Sequence, residues 1–345
     1  MTRVLRNRQW LLKSRPIRRV TAANFEYAEV EMPEPELRSG QILVRNLMFA
    51  PAPTQRNWLN APGRSYRASV AVGTPIRGPA GVEILQSAHP LWPAGTRLTA
   101  VSCWEDYSVL EPDADATPVI PVPPEMALAD ALGVYGMNSL TAYFGLLRVG
   151  QPRAGETVVI SAAAGSVGSV AAQIATIKGC RVIGIAGGPA KCEWLRNDCG
   201  IDAAIDYKCQ NVGECLARLC PSGVDVFFDN VGGEILQAAL DNMAVHGRIA
   251  VCGQISAYDT EATAAGPRDM MRVVYGRLRI EGFVLADFRE EIGSARAELA
   301  RWVEEGRLLH RQDLRRGFER LPGSFLDLFE GATSGALLVQ AAAAV

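Results

Sequence analysis

The run Ser161-Ala-Ala-Ala-Gly165-Ser166-Val167-Gly168 carries the sharpest chemical signal in the chain. It follows a strand-like segment, TVVIS (157–161), and opens an Ala-rich helical segment. That strand–turn–helix order suits a dinucleotide pyrophosphate. Gly165 has no side chain to hold the backbone away from the phosphates, and Gly168 lets the helix pack closely on its strand. The first turn of the helix adds N–H donors that have no partner inside the helix. Ala162 stands where the first glycine of the pattern is usual. The predicted ligand is a nicotinamide dinucleotide.

The choice between NAD and NADP rests on the end of the next strand, about 20 residues on, where an acid grips the ribose hydroxyls of NAD. Here the chain reads Gly187-Gly188-Pro189-Ala190-Lys191, with no Asp or Glu and with a lysine in reach. An acid would repel a 2′-phosphate, whereas a small turn followed by a cation accepts one. NADP(H) is therefore expected, with the missing acid the stronger half of the case. Lys191 taken alone fits a solvated helix residue equally well.

Metal ligands are scarce. The three histidines are His89, His246 and His310, and none belongs to a spaced set of Cys and His. Cys209, Cys215 and Cys220 lack the short paired spacing of a structural zinc site. Without a metal, hydride chemistry must stabilise a developing oxyanion by hydrogen bonds.

Around these residues the chain has the composition of a globular protein, 345 residues with 48% hydrophobic and 21% charged side chains. A net charge of −2 argues against nucleic acid or an anionic membrane as partner. No stretch reaches the roughly 20 apolar residues of a membrane span. The N-terminal Arg3, Arg6, Arg8, Lys13 and Arg15 accompany no apolar core of a signal peptide, and the eight cysteines are scattered, which predicts a cytoplasmic protein with unpaired thiols.

Two domains are expected at this length. Short apolar alternations broken by Pro and Gly, such as QILVRNLMF (41–49), GVEIL (81–85), TRLTAV (96–101) and WEDYSVLEP (104–112), predict a small antiparallel barrel or sandwich. Pro118, Pro121, Pro123 and Pro124 form a stiff connector. Strand and helix then alternate. TVVIS, RVIGIAG (181–187), AAIDY (203–207), VDVFFDNVG (224–232), GRIAVCG (247–253) and RIEGFVL (279–285) predict a parallel sheet wrapped by helices. Val167, Val170, Ala171, Ile174 and Ile177 share one helical face, ARAELARWVEEGRLL (295–309) reads as an amphipathic helix, and GALLVQ (335–340) as a strand returning to the first domain. The terminal AAAAV (341–345) reads as a frayed tail.

Read together, NRQWLLKSRP (7–16), FEYAEVEMPEP (25–35), LTAYFGLLRVGQPRAGETVVISAAAGSVGSVAAQIA (140–175), GCRVIGIAGGPAKCEWL (179–195), DAAIDYK (202–208), DVFFDNVGGEIL (225–236), CGQIS (252–256) with Tyr258, and RIEGF (279–283) resemble the zinc-independent medium-chain dehydrogenase/reductases, in their alkenal/one oxidoreductase branch. The resemblance covers nearly the whole chain. It implies an α/β fold, a Rossmann doubly wound parallel sheet (126–299) beside a GroES-like β-barrel-type domain (1–125, completed by 300–345). It also implies NADPH-dependent reduction of the C=C bond of α,β-unsaturated ketones or aldehydes. In such enzymes hydride adds to the β-carbon, donors hold the enolate oxygen, and the α-carbon is then protonated. Carried over by motif, Gly165, Ser166, Val167, Gly168, Gly187, Lys191, Tyr207, Asn230, Cys252, Thr141 and Met137 contact the cofactor, and the RIEGF strand pairs two copies into a homodimer. Val82 stands where a zinc enzyme of this architecture places a ligand histidine.

Tyr258 follows the CGQIS motif and is the candidate enolate donor or proton source, since a phenol of pKa near 10 keeps its proton at neutral pH. The alternative is an aromatic wall to the nicotinamide pocket, with a cofactor ribose hydroxyl doing the chemistry. The substrate half departs from the family. A DPYMRGRM-like stretch becomes Ala52-Pro53-Thr54-Gln55-Arg56-Asn57-Trp58-Leu59, losing an acid and a tyrosine but keeping Arg56. GEVMRGG becomes Gly73-Thr74-Pro75-Ile76-Arg77-Gly78-Pro79, and a terminal GKLVV-like contact becomes Gly335-Ala336-Leu337. GMPGLTAY becomes GMNSLTAY, so that Asn138 either orients a substrate carbonyl or caps its helix. Thr54, Arg56, Asn138 and Tyr258 are the expected substrate-pocket residues. A quinone reductase and an NADPH-binding protein of little turnover are the alternatives to a bulky-enone reductase.

Overall fold

A computed structural model describes residues 4–63, 65, 67–114, 119–258 and 266–342. Pro118 of the expected connector and residues 343–345 of the expected tail lie outside the described residues. Fifteen strands run through the described chain: β1 (Val4–Leu12), β2 (Phe25–Pro33), β3 (Ile42–Phe49), β4 (Arg77–Ser87), β5 (Arg97–Cys103), β6 (Tyr107–Leu110), β7 (Ile120–Pro121), β8 (Thr157–Ser161), β9 (Arg181–Ala186), β10 (Ala203–Asp206), β11 (Val224–Asp229), β12 (Met243–Val251), β13 (Arg279–Gly282), β14 (Gln312–Arg316) and β15 (Ala336–Gln340). No helix of the described residues is long and apolar enough to cross a membrane.

The chain forms two compact units, one of Met1–Gly136, Gln312–Ala332 and Leu337–Val345, the other of Met137–Arg311 and Thr333–Ala336. Residues 126–136 thus group with the first unit instead of the second. The Leu128 side chain fills the space that a Cβ on Gly81 of β4 would need, which fastens this segment to the antiparallel sheet. Residues 300–311 group with the second unit, because the helix Ile292–Glu304 runs through position 300 unbroken and the Gln173 amide grips the Leu309 backbone at 2.8 and 2.7 Å.

In the first unit, β1 and β2 make an antiparallel ribbon, and seven strands form a second sheet in the order β14-β15-β3-β4-β5-β7, with β6 also paired to β3. The apolar core gathers Leu12, Phe25, Phe49, Trp104, Phe318 and Phe325, with Trp104 stacked on Phe25 at 6.0 Å and edge-on to Phe325 at 5.8 Å. Beside it lies a buried polar knot. The Glu105 carboxylate accepts Asn7 Nδ2 (3.1 Å), Gln9 Nε2 (2.7 Å) and Ser108 Oγ (2.7 Å), and its backbone carbonyl accepts Asn46 Nδ2 at 2.8 Å. The Glu105 side chain thereby ties β1 to β6, and its carbonyl adds β3.

In the second unit six parallel strands run in the order β10-β9-β8-β11-β12-β13. The strand order reverses between β8 and β11, so this is a doubly wound sheet with its switch point there. Val158, Val159, Val182, Ile183, Val226 and Phe227 are fully buried, the near-continuous apolar pattern of strands covered on both faces.

Burial pushes the Glu105 carboxyl above its ordinary range. A carboxyl whose pKa is higher folded than unfolded contributes less stability as pH climbs from about 4.3 toward its native value. The stability of the native protein minus that of Glu105→Gln should therefore fall over this range in urea unfolding. A difference that rises with pH would contradict the assignment.

Candidate dinucleotide site

The carboxyl ends of β8 and β11 meet at the switch point, where an open α/β sheet binds its ligand. β8 ends at Ser161 and passes through a turn into the helix Ser166–Ile177. Ala162 takes φ 48°, a left-handed conformation costing a non-glycine residue roughly 1–2 kcal/mol. It is held there because Gly165 N donates to Ala162 O at 2.9 Å and Ala163 N to Ile185 O at 3.0 Å. Gly168 faces the same turn. A Cβ on it would collide with the Ala162 carbonyl oxygen and stand 2.8 Å from Ala163 Cα. The turn is thus pressed against the helix, and the first-turn N–H groups of Ser166, Val167 and Gly168 have no acceptor inside the helix. This is a cradle that a pyrophosphate fits, and the residues at the remaining positions agree with an NADP-type ligand.

β11 ends at Asp229, which is fully buried. Its Oδ1 accepts Ser161 Oγ (2.9 Å), Val231 N (3.0 Å) and Gly232 N (3.0 Å). Ser161 Oγ in turn accepts Asn230 N at 2.7 Å, and Asn230 Nδ2 donates to Ser161 O at 2.7 Å. The Asp229 carbonyl accepts Cys252 N (2.8 Å) and Gly253 N (3.1 Å), and Asn230 O accepts Ile255 N (3.2 Å). Three segments, the 161–168 turn, the 229–233 loop and the 252–258 turn, are therefore one hydrogen-bonded assembly. At its end, Tyr258 Oη accepts Gln254 N at 3.1 Å. Burial raises the Asp229 carboxyl above its ordinary range, and the Gly232, Val231 and Ser161 donors oppose that shift. Burial also pushes the Cys252 thiol up to about 12, which keeps it protonated at neutral pH.

At the end of β9, Gly187 and Gly188 lead into the helix Pro189–Asn197, with half-buried Lys191 in its first turn. Tyr207 follows the neighbouring β10, and its ring crowds Gly187: a Cβ there would stand 2.9 Å from Tyr207 Cε1 and 3.0 Å from Lys208 Cε. Gly187, Lys191 and Tyr207 are thus gathered at one place. Burial first, and then the Lys208 charge, draw the Lys191 ammonium below its ordinary pKa. The acid nearest this turn, Asp206, lies on β10, and its Oδ1 is engaged by Gly188 N at 2.8 Å and Lys208 N at 3.1 Å.

The other predicted residues are placed as follows. Met137 and Thr141 share the helix Met137–Phe144, where Thr141 Oγ1 donates to Met137 O at 2.8 Å. Asn138 lies inside that helix, and its Nδ2 donates to Ser166 Oγ at 2.9 Å, joining it to the helix Ser166–Ile177. Tyr143 Oη donates to Glu298 at 2.6 Å, and burial with that carboxylate pushes its phenol to about 12. In the first unit, Thr54 precedes the short helix Gln55–Trp58. Arg56, expected in the substrate pocket, is 4% exposed, and its guanidinium donates to Asn60 Oδ1 (2.5 Å) and to the Arg18 carbonyl (2.7 Å). Those bonds make it a tie for its own loop. Asp229 and Asp206 are not among the residues singled out from the sequence, and Ser161 and Lys208 enter there only as the ends of motifs, although each terminates or follows a strand that was read.

Comparison with known proteins agrees with this geometry. A family model described as zinc-binding dehydrogenase matches residues 166–301, and one described as the N-terminal domain of oxidoreductase matches 8–119. Among the described residues no three His, Cys, Asp or Glu side chains are grouped to hold a metal ion. The chain is 34% identical over 342 residues to the NADPH-dependent curcumin reductase of Escherichia coli, covering 98% of this chain and 97% of that one. It is 34% identical to the NADP-dependent 2-alkenal reductase of Nicotiana tabacum, covering 87% of each. The crystal structure of CurA from Vibrio vulnificus in complex with NADPH superimposes with a TM-score of 0.89 at 33% identity, covering 98% of this chain and all of that one.

Gly168→Ala should weaken NADPH binding at least about tenfold and cost about 1–3 kcal/mol of stability, the usual penalty of overpacking. Fluorescence titration and urea unfolding measure the two effects, and an unchanged dissociation constant would contradict the cradle.

Proposed function

Because the chain belongs to the medium-chain dehydrogenase/reductase family, we propose that it reduces the carbon–carbon double bond of α,β-unsaturated ketones and aldehydes at the expense of NADPH. The observation that carries this reading is full-length similarity to reductases named for curcumin and 2-alkenals, compounds that share a C=C conjugated to a C=O. The dinucleotide cradle and the acid-free end of β9 support the cofactor part.

When bound, NADPH supplies hydride to the electrophilic β-carbon. The chain's own residues supply the rest. Ser166, Val167 and Gly168 offer backbone donors to the pyrophosphate, and Lys191 with Tyr207 faces the 2′-phosphate. Asn230, fixed by its two bonds to Ser161, presents the loop beside the nicotinamide. Tyr258 donates to the enolate oxygen as charge develops there, and the Gln254 N–H bonded to its phenol oxygen stabilises the charge left behind if the proton moves.

The same reading makes the protein a cytoplasmic homodimer. β13 ends the six-stranded sheet with all four residues exposed, and Val274 and Tyr275 in the preceding helix are 59% and 67% exposed. An open edge of this kind favours pairing with a second copy. A single-chain mass in light scattering would contradict it.

A panel of enones, enals and quinones should yield saturated carbonyl products with NADPH and at least about tenfold less with NADH, a difference of about 1.4 kcal/mol. Equal use of NADH, or reduction of quinones alone, would overturn the proposal. Tyr258→Phe should lower kcat about 100-fold with the NADPH dissociation constant unchanged. An unchanged kcat would remove Tyr258 from the chemistry.

A further inference from the structure

We propose that Lys208 is the second cation of the 2′-phosphate site, and that the Asp206 carboxylate, by accepting the amides of Gly188 and Lys208, presents both lysines to one anion. The inference rests on the NADPH reading above and deepens it.

β9 and β10 are parallel neighbours in a register that sets Ala186 beside Asp206, so the turns leaving them lie side by side. The first turn carries Gly187, Gly188 at φ 94°, and then Lys191; the second carries Tyr207 and Lys208. One carboxylate oxygen joins them. Asp206 Oδ1 accepts Gly188 N at 2.8 Å and Lys208 N at 3.1 Å, while Gln210 Oε1 accepts Asp206 N at 2.8 Å and fixes the strand end. The bond to Gly188 sets the entry to the Lys191 helix, and the bond to Lys208 sets the start of that side chain.

The stem of Lys208 then lies against Gly187, with Cε 3.0 Å from the position of a glycine Cβ, alongside the Tyr207 ring. This brings the Lys208 charge into the field of Lys191, whose ammonium it helps to draw below the ordinary value. Two like charges held together by folding repel each other, and a dianionic phosphate monoester relieves that repulsion while taking hydrogen bonds from both. Asp206 bears the sign that would repel this anion. Its Oδ1 is taken up by two backbone amides, and those bonds, that of Gly188 first, hold its own pKa below the ordinary value. It therefore acts through the lysines as a positioning residue and differs from the ribose-gripping acid of NAD sites, which stands at the end of the preceding strand.

The test is fluorescence titration of NADPH and NADH against the full chain and its K191A, K208A, D206A and D206N variants, with melting temperature recorded for each. K208A should weaken NADPH about tenfold and NADH less than about twofold, as expected when one charge-assisted phosphate contact is lost. D206A should weaken NADPH selectively to a similar extent. D206N, whose amide oxygen still accepts both N–H groups, should restore affinity to within about threefold of the native protein. Three results would overturn the proposal. NADPH affinity unchanged in K208A but lowered in K191A would leave the phosphate site standing with one lysine. D206N failing as badly as D206A, or D206A weakening both cofactors alike, would remove the positioning role. If neither K191A nor K208A changes the ratio of NADPH to NADH affinity, the phosphate-site reading itself falls, and the proposal with it.

Discussion

Between the carboxyl ends of β8 and β11, the buried Asp229 carboxylate accepts the Ser161 hydroxyl and the amides of Val231 and Gly232. A doubly wound sheet leaves its crevice at this point because the loops from the two central strands depart in opposite directions. Something must hold those loops at a fixed separation. A buried carboxylate is expensive to desolvate, and it is tolerated where donors fill its lone pairs. Asp229 meets that condition, and its backbone carbonyl extends the same control to Cys252 and Gly253. The 161–168 turn, the Asn230 loop and the turn bearing Tyr258 are therefore coupled through one set of hydrogen bonds.

The strained Ala162 fits this arrangement. An alanine at φ 48° persists because the turn around it is fixed from several sides, by Ile185 on the neighbouring strand, by Gly165 and by the close approach of Gly168. Rigid walls suit hydride transfer, where small misplacements of donor and acceptor are costly. The first unit has its own version of the device in Glu105, whose buried carboxylate joins β1 and β6 while its carbonyl holds β3.

The parallel strands were legible because sheets covered on both faces demand continuous apolar runs: TVVIS matches β8 from end to end, and RVIGIAG overshoots β9 by one glycine. The ribbon of β1 and β2 was read for its motifs and not as strands. Arg6 and Arg8 interrupt the apolar residues of β1, and β2 lies largely at the surface, so the apolar signal is weak. The six-residue π turn Gly145–Gly150 was equally hidden, since Gly145 faces Phe283, far along the chain. In the site, glycines and a missing acid are local features and could be read directly. Asp229 with Ser161, and Lys208 with Gly187, are pairings across strands, separated by 68 residues in the first case, and sequence spacing does not reveal them. The bonds of Arg56 to the Arg18 carbonyl and Asn60 are likewise invisible in the spacing of the 52–59 stretch.

The proposed function makes these constraints the support for hydride delivery from a bound nicotinamide to the β-carbon of a conjugated carbonyl. Isotope tracing tests that claim most directly. An alkenone reduced with NADPH carrying deuterium at both C4 positions should give the saturated ketone with deuterium at the β-carbon and solvent hydrogen at the α-carbon. Deuterium on the carbonyl carbon of an allylic alcohol, or a saturated ketone without label, would contradict it.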